Sequence, residues 1–202
     1  MTSTETRSGL VARQLDAGIA ARADLAEQVA APATRAAVEA AGEAVLEALR
    51  AGGTLLVAGN GGSAAIASHV AAEFLGKCIH DRHPLPAISL AESHSSLTAI
   101  GNDYGFDRVF LRGVQAFARP GDVLLTMSTS GTSPNVVAAL AEARRRGVRT
   151  ILMTGAKGAG RGDLADHLLV VPSSETPRIR EVHMLWAHAR CEAVDPAMQD
   201  PS

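Results

Sequence analysis

The fold prediction rests on residues 54–76, which read TLLVAGNGGSAAIASHVAAEFLG. The apolar run 54–58 lacks polar alternation, which is typical of a strand that is buried on both faces of a sheet. It continues through a glycine turn, residues 59–63, into a stretch of helical composition that ends near Gly76. A strand followed by a turn and a helix is the repeating unit of a parallel α/β sheet.

The same pattern recurs toward the C-terminus. Short β-rich runs lie at 87–90, 123–127, 150–153 and 168–171, and helical stretches lie at 134–146 and 178–194. Buried strands joined by helices indicate a parallel sheet with helices on both faces. We therefore predict an α/β fold, a doubly wound three-layer sandwich with about five parallel strands.

Residues 9–51 have the pattern of amphipathic helices instead, because apolar residues there recur every three or four positions, as in Val38, Ala41, Val45 and Leu49. A proline at position 32 divides this region into two N-terminal helices. The chain of 202 residues has the length of one domain. We predict that 1–51 form the N-terminal helices, 52–194 form the α/β core and 195–202 form a frayed tail.

Composition excludes several classes of function. A net charge of −2 argues against a nucleic-acid-binding surface, and 3% aromatic residues argue against base stacking. The apolar runs are too short to span a membrane, and residues 1–5 do not resemble a signal peptide. Cys78 and Cys191 form no ligand-spaced pair, which suggests a reducing compartment. We expect a soluble cytoplasmic protein.

Two loops are candidate ligand sites. Residues 128–133 place five hydroxyls and one glycine between a strand and a helix, which suits a phosphate monoester. The alternative is that Ser133, before Pro134, serves as a helix cap. The glycine turn 59–63 lets a backbone approach a ligand, or is a tight turn with no ligand. Both loops follow strands, so both face the edge where ligands bind in such sheets.

Several motifs in matching order resemble the phosphoheptose isomerases, the sedoheptulose-7-phosphate isomerases of the SIS fold. They are GNGGSAA at 59–65, GNDYGF at 101–106, PGDVLL at 120–125 and STSGTSPN at 128–135, and RIREVH at 178–183 with one substitution. The resemblance covers about 52–194. It implies a flavodoxin-like SIS sheet, a homotetramer, and an enzyme that converts sedoheptulose 7-phosphate to D-glycero-D-manno-heptose 7-phosphate in heptose biosynthesis.

The resemblance also implies site residues. Glu73 and His188 match the family's catalytic residues, and His69, Glu73 and His188 match its zinc ligands. His69 and Glu73 share a helix face, although such a pair alone is more often a plain hydrogen bond. His183 matches a family histidine that we interpret as structural. The expected substrate-binding residues are Asn60, Gly61, Gly62, Ser63, Glu73, Asn102, Asp103, Ser128, Thr129, Ser130, Ser133 and Arg180.

The chemistry of a ketose-to-aldose conversion fits this set. A proton moves from C1 to C2 through an enediol(ate), so one base must take and return the carbon-bound proton. A second group must move protons at the oxygens, or a metal must polarise the carbonyl. Glu73 and His188 suit these roles, and the sequence leaves open which of them moves the carbon-bound proton.

Arg180 departs from the family, which usually has Gln at this position. Arginine has no lone pair to offer a metal, and its charge opposes a divalent ion, so zinc is an open expectation. Two further positions depart from the family: Lys77 stands where Arg is expected, and residues 66–68 replace the usual Asp-Ala-Gln. An isomerase of a different sugar phosphate is therefore one alternative. A non-catalytic SIS protein that senses a sugar phosphate, or associates with a replication initiator, is the other alternative. The presence of His69, Glu73 and His188 favours the enzyme.

Overall fold

The computed structural model describes residues 9–199. Within them the chain forms five strands, which are β1 (Leu55–Gly59), β2 (Ala87–Ser89), β3 (Val123–Ser128), β4 (Arg149–Gly155) and β5 (His167–Val171). The α-helices of the same residues are α1 (Leu10–Val29), α2 (Pro32–Arg50), α3 (Gly62–Leu75), α4 (His94–Tyr104), α5 (Val109–Phe117), α6 (Pro134–Arg145) and α7 (Thr176–Ala197).

The strands form one parallel sheet in the order β2-β1-β3-β4-β5. This is the flavodoxin-like order, and the predicted doubly wound sheet is confirmed. The chain leaves β1 toward β2 on one side and later returns to β3 on the other. The point where the order reverses therefore lies between β1 and β3, and the register pairs Gly59 with Met127 at the carboxyl end of both strands.

Helices cover both faces of the sheet, as predicted. Successive side chains of a strand point to opposite faces. On one face, Val57 packs in a core with Phe74 of α3 and Trp186 of α7, and α1 and α2 complete this layer. On the other face, Leu124 packs in a second core with residues of α5 and α6. The result is a three-layer sandwich in which α3 and α6 lie on opposite faces.

The predicted strands and helices agree with the structure to within a few residues, but α4 and α5 were missed. α4 buries no residue completely, so it has no clear apolar stripe to signal a helix. Ser93 caps it by accepting a hydrogen bond from the backbone N–H of Ser96 at 3.2 Å. Among residues 9–199 there is no helix that is both long enough and apolar enough to cross a membrane.

The prediction of a frayed tail is wrong for residues 195–197. α7 continues to Ala197, and Asp195 is completely buried. Its carboxylate accepts hydrogen bonds from the backbone N–H groups of Cys78, Ile79 and His80 at 3.2, 2.7 and 2.9 Å. The end of α7 is thus ordered by the segment that follows α3. Residues 200–202, and residues 1–5 to which the signal-peptide expectation refers, lie outside the described residues.

Arg82 completes this connection between α3 and α7. Its Nε donates to Asp195 at 3.1 Å, and its Nη1 and Nη2 donate to carbonyls at the end of α3, including those of Phe74 and Glu73 at 2.9 and 2.8 Å. Burial alone would raise the pKa of Asp195, but the backbone N–H groups and Arg82 outweigh it and lower that pKa. We call this contact the Arg82–Asp195 pair.

We predict that Asp195→Asn destabilises the protein by about 3–5 kcal/mol, because it leaves the guanidinium of Arg82 buried without its counter-charge. Urea unfolding measures the loss. Glu47→Gln is the matched control, since Glu47 forms a 2.8 Å ion pair with Arg149 in which both side chains are exposed (63% and 43%). The control should lose less than about 1 kcal/mol. An equal loss in the two variants would contradict the prediction.

Candidate active site

The glycine loop (residues 59–63) and the serine loop (residues 128–133) lie side by side because β1 and β3 are neighbours. The amides of Asn60 and Asn135 join them by two reciprocal hydrogen bonds of 2.9 and 2.8 Å. Asn135 is 2% exposed, so this pair is sheltered from water. The structure therefore brings the two predicted ligand loops together at the point where the strand order reverses, where such sheets bind ligands.

The glycine loop contains a glycine in a left-handed conformation, and the guanidinium of Arg180 packs on the backbone of the loop. Gly61 has φ 55°, in the left-handed region that favours glycine. A Cβ at Gly62 would lie 2.9 Å from Nη1 of Arg180, so the guanidinium lies directly on the backbone where α3 begins. The Nε of Arg180 is buried and has no hydrogen-bond partner within the described chain. A cation beside a helix N-terminus suits an anionic ligand.

The hydroxyls of the serine loop bond to one another. The Oγ atoms of Ser128 and Ser133 are 2.9 Å apart, and Ser130 Oγ accepts hydrogen bonds from the backbone and side chain of Thr132 at 3.2 and 3.0 Å. Ser133 makes no side-chain capping bond to α6. The helix-cap alternative therefore does not explain this loop, and its clustered hydroxyls are available for a ligand.

Helices α3 and α7 bring three predicted residues together, which we call the acid–base cluster: His69, Glu73 and His188. The Nε2 atoms of the two histidines are 3.0 Å apart, and Nε2 of His69 is 3.9 Å from Oε1 of Glu73. Oε2 of Glu73 is buried without a hydrogen-bond partner in the residues that the structure describes. The side chains of His69 and Glu73 as a whole are 40% and 18% exposed, so a ligand can reach the cluster.

Sequence reasoning missed Cys78, which lies beside Glu73. Burial raises the pKa of the Cys78 thiol to about 12, and its hydrogen bond to Glu73 and the charge of that carboxylate act in the same direction. The thiol is therefore protonated at physiological pH. Burial likewise raises the pKa of Cys191 to about 12, with smaller effects from Cys78 and Glu73. No local signal marks this proximity, because it depends on the turn after α3.

Zinc binding by the acid–base cluster stays a prediction. Residues 9–199 contain no group of three or more His, Cys, Asp or Glu side chains that could hold a metal. The Nε2 atoms of His69 and His188 are engaged with each other. Arg180 lies at Gly62, eight residues before His188 and about 12 Å from it along the helix axis. Its charge therefore does not face His188 directly, and its effect on zinc stays a prediction.

His183 is completely buried, which agrees with its interpretation as structural. Burial lowers its pKa to about 4, with a smaller contribution from the charge of Arg180 and against the opposing effect of the Thr154 carbonyl. Its Nε2 lies 3.5 Å from that carbonyl oxygen. The imidazole is neutral at physiological pH, and it packs α7 against the end of β4.

Asn102 and Asp103 stand apart from the other predicted residues. Both are exposed on α4, where Nδ2 of Asn102 donates to Oδ1 of Asp103 at 2.8 Å. In the described part of one chain, no hydrogen bond or ion pair connects them to the two loops or to the acid–base cluster. A single chain thus assembles most of the predicted site but not this motif.

Comparison with known proteins gives consistent matches. The model of the SIS domain family matches residues 19–155. A phosphoheptose isomerase from Bradyrhizobium sp. (strain BTAi1 / ATCC BAA-1182) is 48% identical over 194 residues, 96% of each chain. A solved phosphoheptose isomerase from Neisseria gonorrhoeae is 39% identical, with a TM-score of 0.85 over 92% of this chain and 99% of that one. The structure from Francisella tularensis is 33% identical, with a TM-score of 0.86 over 92% and 98%.

We predict that folding stability falls by about 2 kcal/mol between pH 7 and pH 5 because of His183 alone. The unfolded chain binds a proton near the ordinary histidine pKa of 6.5, whereas the folded chain resists protonation down to about 4. Protonation therefore favours the unfolded state as the pH falls through this window. Urea unfolding of the wild type and of His183→Gln at both pH values isolates the effect. Equal pH dependence in the two proteins would contradict it.

Proposed function

The chain belongs to the SIS domain family, among the phosphoheptose isomerases, and we propose that it converts sedoheptulose 7-phosphate to D-glycero-D-manno-heptose 7-phosphate. Relatives of about half identity over nearly the whole chain support an aldose–ketose isomerase. The observation that carries the proposal is the convergence of His69 and Glu73 of α3, the helix that begins at the glycine loop, with His188 of α7. α3 therefore begins at the glycine loop and carries two of the three residues of the acid–base cluster, His69 and Glu73.

The spacing of these parts matches the substrate. Gly62 and His69 are seven residues apart, or about 10 Å along α3. This separation is comparable with the length of an extended seven-carbon sugar phosphate. We place the phosphate in the crevice between the two loops, where the hydroxyls of the serine loop and the N-terminus of α6 adjoin the glycine loop at which α3 begins. The reacting carbons then lie at the acid–base cluster, and Arg180 donates hydrogen bonds to oxygens between them.

In this scheme Glu73 moves the carbon-bound proton, because its carboxylate can take a proton from carbon and return it. It removes the proton from C1, the electron pair forms the C1–C2 double bond, and the C2 carbonyl oxygen takes a proton from His188. His188 then removes the proton from the C1 hydroxyl, and Glu73 returns its proton to C2, which gives the aldose. His69 holds the ring of His188 through the 3.0 Å contact.

We propose that the active protein is a homotetramer in the cytoplasm. The exposed side chains of Leu10, Val11, Leu15 and Ile19 form an apolar stripe on α1 that one chain leaves uncovered. A neighbouring copy can also bring Asn102 and Asp103 to an adjacent site. The free thiols of Cys78 and Cys191 suit a reducing compartment.

Light scattering tests the assembly. We predict a particle of about four times the 20.8 kDa of one chain at micromolar concentration, because burial of the α1 stripe favours association. Leu15→Glu on that stripe should shift the particle toward smaller species. A wild-type particle of 20.8 kDa would contradict the tetramer.

We predict that Glu73→Gln lowers kcat by about 10²–10⁴-fold, since the amide keeps the shape of the side chain but cannot accept the proton. Aldose formation from sedoheptulose 7-phosphate measures the rate. The exposed Glu47→Gln variant, which loses the same charge far from the cluster, should retain its activity. A loss of less than about threefold in Glu73→Gln would assign Glu73 to another role.

Ser130→Ala should weaken binding of the sugar phosphate more than it lowers kcat, because the serine loop holds the distant phosphate. A hydrogen bond to a charged group is worth about 1.5–3 kcal/mol, which corresponds to about tenfold to a hundredfold in affinity. Calorimetric titration and the KM value measure the change, with the exposed Ser174→Ala as control. Unchanged affinity would show that the loop only shapes the turn before α6.

A further inference from the structure

Arg161 lies in the connection between β4 and β5 and packs against the serine loop. Its Cγ is 3.5 Å from the position that a Cβ at Gly131 would occupy. Its Nε is buried and has no hydrogen-bond partner among residues 9–199, although the residue as a whole is only half-buried. No hydrogen bond or ion pair of the described chain engages the rest of its guanidinium. The donors of this cation are therefore available to a ligand beside the loop.

Two glycines allow this close approach. A Cβ at Gly131 would lie 2.8 Å from the Cα of Gly158, so a side chain at this position would push the two segments apart. Gly131 also has φ 70°, in the left-handed region that favours glycine. The turn that follows is closed by a 3.0 Å hydrogen bond from the backbone N–H of Arg161 to the carbonyl of Gly158. The backbone therefore keeps Arg161 beside the serine loop.

The serine loop has no charge of its own. Residues 128–133 offer hydroxyls and backbone N–H groups, and none of their side chains is ionised at physiological pH. A phosphate monoester carries a charge of about −1.5 to −2 at pH 7, and hydrogen bonds to it are stronger when the donor is a cation. A guanidinium also presents paired N–H groups that match two phosphate oxygens at once. Arg161 thus supplies the kind of donor that the loop lacks.

We propose that Arg161 binds the phosphate group of the sugar phosphate by donating hydrogen bonds to its oxygens. This role rests on the proposed function, which places a phosphate in the crevice beside the serine loop. Arg180 lies at the other loop, with its Nη1 2.9 Å from the position of a Cβ at Gly62. One arginine thus adjoins each loop, and Arg161 is the one assigned to the phosphate. Because the phosphate lies apart from the reacting carbons, Arg161 affects binding rather than proton transfer.

Calorimetric titration with inorganic phosphate and with sedoheptulose 7-phosphate tests this role on the intact protein. Arg161→Met keeps the apolar stem that packs on Gly131 but removes the charge, so it should weaken binding of both ligands by about tenfold to a hundredfold. Arg161→Lys keeps the charge without the paired donors, and its affinity should lie between those of the wild type and Arg161→Met. Arg50→Met is the matched control. Arg50 is exposed at the end of α2, just before β1 begins at the opposite edge of the sheet, and its loss should leave binding unchanged.

Kinetics and salt separate phosphate binding from a structural role of the same side chain. Arg161→Met should raise KM for sedoheptulose 7-phosphate while kcat stays within about threefold of the wild-type value. Its affinity for phosphate should also depend less on salt than that of the wild type, because salt screens the charge that the variant lacks. A side chain that only shaped the loop would not change this salt dependence.

The outcomes distinguish this role from the proposed function. Equal phosphate affinity of Arg161→Met and the wild type would overturn the role of Arg161 and leave the isomerase standing. No binding of either ligand by the wild type up to about 10 mM would also overturn it. A wild type that binds phosphate through Arg161 but does not convert sedoheptulose 7-phosphate would support the role of Arg161 and overturn the proposed function alone.

Discussion

The contact between α3 and α7 determines whether this chain has an acid–base cluster, and the Arg82–Asp195 pair holds that contact. Arg82 closes the last turn of α3 and binds a carboxylate near the end of α7, and both side chains are at most 1% exposed. Glu73 lies in the turn that Arg82 closes, and His188 lies two turns before Asp195. A buried ion pair whose hydrogen bonds are satisfied favours one geometry over others. The 3.0 Å contact between His69 and His188 depends on that geometry.

The sheet imposes a second constraint, which positions the ligand relative to this cluster. Neighbouring strands β1 and β3 send their helices to opposite faces, so the glycine and serine loops meet across a crevice. The Asn60–Asn135 amide pair fixes the distance between the loops. Since α3 begins at the crevice and carries His69 two turns later, one helix sets both the anion-binding end and the reacting end of the substrate.

The parts that sequence could predict are those encoded locally. Apolar runs and glycine turns are sufficient to place the strands and both loops, and ordered motifs were sufficient to propose His69, Glu73 and His188. The Arg82–Asp195 pair joins residues 113 positions apart, and neither residue stands in a recognisable motif. Cys78 likewise stands in no motif, and its place beside Glu73 depends on the turn after α3. Arg180 and Gly62 do stand in motifs, but their contact depends on how α7 packs. Asn102 and Asp103 show the opposite case. Their motif is recognisable in the sequence, but within one chain both are exposed and lie apart from the two loops and the acid–base cluster.

The most direct test of the account follows the carbon-bound protons themselves. Wild-type protein is incubated with sedoheptulose 7-phosphate in D₂O, and proton NMR monitors C1 and C2. The proton that Glu73 takes from C1 can be replaced by deuterium from the solvent before Glu73 returns it to C2, because the side chains of the cluster are partly exposed. The account therefore predicts new anomeric signals of the aldose, with deuterium at its C2 position. Ketose signals that stay unchanged throughout a prolonged incubation would contradict it.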